Sequence, residues 1–229
     1  MSEHLEHELT PEEAQQLAAV EESRDALAAL VDDLASPSRR KRQLAARVLR
    51  LLAEREPELL GPYIADMVDA LCRPEAQTRW EVLDALTLLV PTCAKEEDSA
   101  YEGAEDALFD ELSATLRLAA FRFMAAWGST GEDRSRRAGP VIDEAIQCFH
   151  GDLEYRDMLA SLHDFAGGAI DPEVAAELAG RIRFDAENGK GAYLKARSSE
   201  IYELLVERFK LEKPQKRARA AKDSSSDDE

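Results

Sequence analysis

Apolar residues recur along this chain at steps of three and four, the spacing that lines one face of a helix, and no segment sustains the strict alternation of a strand. Leu17, Val20, Leu27, Leu30, Val31 and Leu34 form the first such stripe, on a predicted helix from Thr10 to about Ala35. Its start is Thr10-Pro11-Glu12-Glu13, where Thr caps, Pro occupies the first turn and Glu13 reaches back to the cap. Ser36-Pro37-Ser38 breaks the stripe, with Ser38 as the expected cap of a second helix, Arg39–Arg55, that buries Leu44, Ala45, Val48, Leu49 and Leu52. Pro57 opens a third helix that Gly61-Pro62 kinks, and a fourth runs from Pro74 to Val90, stopped by Pro91.

The same unit is written twice over Leu27 to Val90. Shifted by 37 residues, Leu27 falls on Ile64, Val31 on Val68, Leu34 on Leu71, Pro37 on Pro74, Arg42 on Arg79, Leu49 on Leu86 and Leu52 on Leu89. A helix pair repeated at this period cannot bury its apolar face alone and is stabilised by stacking on its neighbours. After a polar connector over 92–100, a third pair spans about Tyr101 to Trp127 with its turn near Ser113. A fourth covers Arg134–Phe165, with Asp152 as cap of its second helix, and a fifth runs from Asp171-Pro172 to Phe209, broken at Asn188-Gly189-Lys190-Gly191. The prediction is an all-α protein: an α-solenoid of about five stacked helix pairs over 10–209, between a disordered acidic start, 1–9, and a disordered charged tail, 210–229.

The second-helix pattern Arg42-x-x-Ala45-Ala46-x-x-Leu49-x-x-Leu52-Ala53, entered through Leu30-x-x-x-Leu34-x-Ser36-Pro37-Ser38, resembles a HEAT repeat of the armadillo-type superfamily. Residues 27–90 carry the resemblance, 141–165 partly, and 101–127 and 172–209 in outline. The turn Asp common in the family is absent from the first two units, which have Ser36 and Arg73, and Asp152 stands nearest to it. The resemblance implies a scaffold that binds other proteins, but its motif is one of packing and does not specify a partner.

Charge narrows the function classes. The chain of 229 residues carries a formal net charge of −18, of which seven units lie in the first 22 residues and −12 in Ser23–Phe209. Such a surface repels the phosphates of DNA and RNA. A HEAT-like DNA repair glycosylase, the enzymatic alternative within this fold class, needs a basic groove and aromatic residues around a carboxylate, and only Trp80 and Trp127 are available as tryptophans. Three cysteines without close spacing suggest unpaired, mostly buried thiols in a reducing compartment. No apolar run approaches the ~18–20 residues that span a bilayer, and the acidic start lacks the features of a signal peptide, so a cytoplasmic location is expected.

Candidate chemistry is sparse. Glu3-His4-x-x-His7-Glu8 brings two histidines to one face but offers no third strong ligand, and no phosphate loop, nucleophile elbow or zinc spacing occurs. No cofactor and no catalytic residue is therefore expected. His150-Gly151-Asp152 reads as a turn, and His163 as a residue of an apolar helix. Arg39-Arg40-Lys41-Arg42 at the start of a second helix suits an acidic peptide or phosphate group, or else is a solvated turn; Arg134-Ser135-Arg136-Arg137 is similar. Arg79 and Trp80 open the second helix of the next unit, where Arg and Trp serve as binding anchors unless Trp80 packs between units. Arg39, Arg40, Arg42, Arg79 and Trp80 are thus the candidate contacts for a protein partner along the concave second-helix surface.

Overall fold

The computed structural model describes residues 9–212. The expectations for residues 1–8 and 213–229, the His4–His7 pair among them, lie outside the described residues. Among those described there is no strand, and eleven α-helices follow one another: α1 Pro11–Glu22, α2 Arg24–Asp32, α3 Arg39–Arg55, α4 Ile64–Asp69, α5 Ala76–Cys93, α6 Tyr101–Leu108, α7 Ala114–Gly128, α8 Glu132–Phe149, α9 Tyr155–Gly167, α10 Pro172–Asn188 and α11 Ala192–Phe209.

Several starts are built as the side chains dictate. Thr10 Oγ1 accepts from Glu13 N at 3.2 Å while Thr10 N donates to Glu13 Oε2 at 2.8 Å, closing the capping box of α1. Ser113 Oγ accepts from Leu116 N at 3.2 Å and starts α7 at the expected turn. Asp171 accepts from Glu173 N at 2.7 Å ahead of Pro172.

Elsewhere the chain departs from the simple helix-pair reading. The first predicted helix is broken at Ser23, whose extended backbone (φ −138°, ψ 121°) and side chain, accepting from Ala26 N at 3.3 Å, begin α2 as a new helix. The third is short: Pro57 and Pro62 lack ladder donors and Gly61 is a weak helix former, so its first half becomes 3-10 turns at Pro57–Leu59 and Gly61–Tyr63, and only α4 is α-helical. Pro91 does not stop α5, which continues to Cys93. Its ring faces solvent while Leu89 and Val90 are buried, so packing holds the last turn despite one missing donor. Ser38 precedes α3 without a side-chain cap, and Ser36 Oγ instead accepts from Ser38 N at 3.3 Å. Asp152 joins the turn before α9 through its backbone N–H and carbonyl, with no side-chain cap, and Glu154 takes the cap position. Cys72 and Cys148 are exposed, not buried; each lies on the outward side of its turn or helix.

The helices stack in two layers. The second helices α3, α5, α7, α9 and α11 each pack on the next along the whole stack, whereas α2, α4, α6, α8 and α10 with their 3-10 turns form a second layer with looser contacts between units. One continuous core lies between: Leu49, Leu86, Phe121, Phe123 and Leu205 are fully buried, and Trp127, Leu162 and Phe165 nearly so. Gly128 permits the tightest crossing, because a Cβ there would stand 2.7 Å from Ala138 Cβ and 3.0 Å from the Phe165 ring.

Candidate functional site

Arg42, Arg79 and Arg117 occupy one repeat-equivalent position, in the first turn of α3, α5 and α7. Each reaches across to carboxylates of the following unit. Arg42 Nε donates to Glu75 Oε2 at 3.2 Å and its Nη1 to the Ser36 carbonyl at 2.6 Å. Arg117 copies this with Glu154 at 3.0 Å and the Asp110 carbonyl at 3.0 Å. Arg79 donates to Asp106 at 2.9 Å and lies 3.5 Å from Asp110. The hydrogen bonds from Arg42 hold the Glu75 carboxyl below its ordinary range. Burial pushes Glu154 the other way, but its own backbone N–H and Arg117 outweigh it. Each arginine thus closes its own turn, where a carbonyl is in reach, and fastens the next unit.

The other sequence candidates fall into different settings. Arg39 is exposed and has no ion-pair partner among the described residues, whereas Arg40, whose side chain is 81% exposed, meets Glu12 of α1 at 2.6 Å. Trp80 is half-buried, its body resting on the core and its outer edge on the face of α5. The Arg134–Arg137 cluster is absorbed locally. Arg134 donates to Asp98 at 2.8 Å, Arg136 bonds Asp133 and Asp171, and Arg137 lies 3.8 Å over the Tyr101 ring. His150 Nε2 sits 2.8 Å from Asp185 across a unit boundary.

The outward face of the second-helix layer repeats in rows. Gln43, Trp80 and Leu118 form one row across α3, α5 and α7; Arg47, Asp84 and Arg122 the next; Leu51, Leu88 and Ala126 a third, of which Leu51 is itself buried. The register is fixed by contact, since Arg122 lies 3.8 Å from Asp84, and Arg47 and Arg50 reach Glu81 at 3.6 Å and 2.6 Å. On α5 and α7 the apolar pairs Trp80–Leu118 and Leu88–Ala126 therefore flank the charged pair Asp84–Arg122. Burial raises the Asp84 carboxyl, with Arg122 opposing the shift only in part. Leu118, Arg122 and Arg117 escaped the sequence reading because the period lengthens from 37 to 38 residues at an unmarked turn. Among the described residues no group of His, Cys, Asp and Glu is arranged to hold a metal ion, and no helix is long and apolar enough to cross a membrane.

No protein-family model matches the chain, and no curated protein does. Solved structures match it in shape. A designed armadillo repeat protein in complex with the peptide (KR)4 superposes with a TM-score of 0.69 at 14% identity, covering 83% of this chain and 86% of that one. Computationally designed armadillo repeat proteins for modular peptide recognition give 0.64 at 13% identity over 83% and 86% of the two chains. An engineered protein from a structural genomics programme gives 0.65 at 16% identity over 84% and 88%. At such identities the likeness is one of fold alone, and with the stacked pairs and their arginine fastenings it settles the architecture: the chain is an all-α solenoid of the HEAT and armadillo type.

Proposed function

We propose that this protein is a noncatalytic scaffold that binds a peptide or helix of a protein partner across the concave, outward face of its second helices. The observation that carries this reading is the pair of apolar rows, Trp80–Leu118 and Leu88–Ala126, which α5 and α7 assemble and which stay partly exposed among the described residues. Leu88 is 40% exposed, and Trp80, two turns earlier on α5, presents a large rigid ring that is partly exposed. A half-exposed aromatic on a rigid helix is the kind of group from which binding hot spots are made, and solenoids offer such extended surfaces for recognition. Trp80 is the anchor in this reading, and Arg39 is the open cation at its edge, while Arg40 is paired with Glu12 of α1. Arg42 and Arg79 serve by fixing α3 and α5 in register with the next unit.

The experiment is photo-crosslinking in the native cell from a reactive residue at position 80, with a second at Asp66, an exposed site on the other layer, as control. One discrete protein crosslinked from position 80 and not from position 66, and lost when Leu88 and Leu118 are both replaced by Asp in a still-folded protein, supports the reading. Equal yields from both sites, or no loss in that double variant, overturn it.

A further inference from the structure

Division of the helices into layers separates their charges. In the first three units α3, α5 and α7 hold ten Lys and Arg against three acids, while α1, α2, α4 and α6 hold eleven acids against Arg24 alone. The chain as a whole carries −18, yet its second-helix face is the basic side. Most of that excess belongs to α3, with Arg39, Arg40, Lys41, Arg42, Arg47, Arg50 and Arg55 against Glu54. Helix α1 takes up part of it: Glu12, Glu13 and Glu21 meet Arg40, Arg47 and Arg55 at 2.6, 3.7 and 2.7 Å. Those contacts lie along one edge of α3, and α1 itself is an acidic helix seated there through Leu17 and Val20, both 1% exposed. Towards α5 and α7 the face keeps Arg39, Arg47, Arg50 and Arg122, of which Arg122 is 39% exposed and loosely paired at 3.8 Å.

We infer that the segment received by α3, α5 and α7 is an acidic amphipathic peptide, its carboxylates lying over Arg39 and Arg122 and its apolar residues over Trp80, Leu118 and Leu88. This rests on the scaffold reading above and adds the sign of the partner. That sign is opposite to the (KR)4 peptide held by the designed armadillo neighbour. A nucleic acid has the right charge but fits the face less well. Asp84, and Arg47 and Arg50 committed to Glu81, weigh alike on any anionic partner, but the apolar pairs Trp80–Leu118 and Leu88–Ala126 suit the apolar residues of a peptide and offer phosphates nothing. The acidic layer behind does not forbid an acidic partner. Charges more than about 8–10 Å away are largely screened at physiological salt, so the nearest residues decide. At 0.01 M salt, with a screening length of about 30 Å, the whole molecule's charge acts and repels. Affinity for an acidic peptide therefore rises and then falls as salt increases.

The test is selection of random twelve-residue peptides displayed on phage against the folded protein at 0.15 M salt. Enriched peptides are then measured by fluorescence anisotropy from 0.01 to 1 M salt. The expected pool is net negative with interspersed apolar residues, shows an affinity maximum at intermediate salt, and loses at least tenfold in affinity on R39E/R122E. The neutral variant R39Q/R122Q, which cannot introduce repulsion with Asp84, loses several-fold and guards against misfolding of the reversed one. A net-positive or uncharged pool that still depends on Trp80 overturns the inference while leaving the scaffold reading intact. No enrichment above a heat-unfolded control overturns both. Binding of a single-stranded oligonucleotide more tightly than the selected peptides replaces the acidic peptide with nucleic acid.

Discussion

Among the described residues Glu97 is the charged group most fully withdrawn from solvent, and that gives it the largest consequence for stability. Its side chain is fully buried in the 3-10 turn before α6, and neither carboxyl oxygen has a hydrogen-bond partner. Burial raises its pKa to about 8, with Glu96 adding to the shift and Arg134 opposing it. Between 4.5, its ordinary value, and about 8 the folded protein holds a proton that the unfolded chain has released, so stability falls as pH rises through that window. Glu97→Gln removes the titration: its melting temperature should equal that of the wild type near pH 4.5 and exceed it by several degrees at pH 8. Parallel melting curves for the two proteins across this range, with no gap opening between them, would show that Glu97 is solvated. Arg79 has a simpler expectation. It is 11% exposed between Asp106 and Asp110, so Arg79→Glu places a third carboxylate among two. Equilibrium urea unfolding should show a loss of about 1–3 kcal/mol, which makes this substitution a probe of the fold and not of partner binding.

At the scale of the element, the second helices hold their positions through close contact between small and large side chains. Leu86 of α5 is fully buried, and Leu86→Ala should cost about 2–5 kcal/mol through lost burial and the cavity left behind. Gly128→Ala poses two opposed effects: helix propensity gains about 1 kcal/mol, while the new methyl meets Ala138 at 2.7 Å. Overpacking against α8 and α9 costs about 1–3 kcal/mol, so destabilisation should win in a chemical denaturation series. An increase in stability would mean that α8 moves aside at no cost. The half of the third predicted helix that became 3-10 turns illustrates the reverse case. Two prolines removed donors from its ladder and Gly61 weakened the helix between them, and the buried Leu59, Leu60 and Ile64 kept the segment packed without it.

For the whole molecule, the separation of charge by layer predicts how stability answers to salt. Eleven acids on α1, α2, α4 and α6 repel one another at long range, whereas ion pairs with exposed partners contribute about 0–1 kcal/mol each and lose little by screening. Raising salt from 0.01 to 0.15 M should therefore raise the melting temperature. A fall would show that the fastenings between units, such as Arg42–Glu75 and Arg117–Glu154, outweigh the repulsion.

What the sequence determined by itself was the all-helical class, the 37-residue unit and the identity of its core. These are carried by local periodicity and by turn residues, so Thr10, Ser113 and Asp171 could be placed on their helices before any contact was known. Ser23 could not: its side chain can cap a helix or point outward from one, and only packing of α1 against α3 selects the break. The tertiary structure also decided the use of the arginines. Arg42 and Arg39 are three residues apart on one helix, yet one fastens the next unit and the other faces solvent. That difference depends on where Glu75 arrives, 33 residues later. The binding face followed the same logic, since Trp80, Leu118 and Arg122 become neighbours only when separate units stack, and no local pattern records which side of a helix its neighbour will leave uncovered.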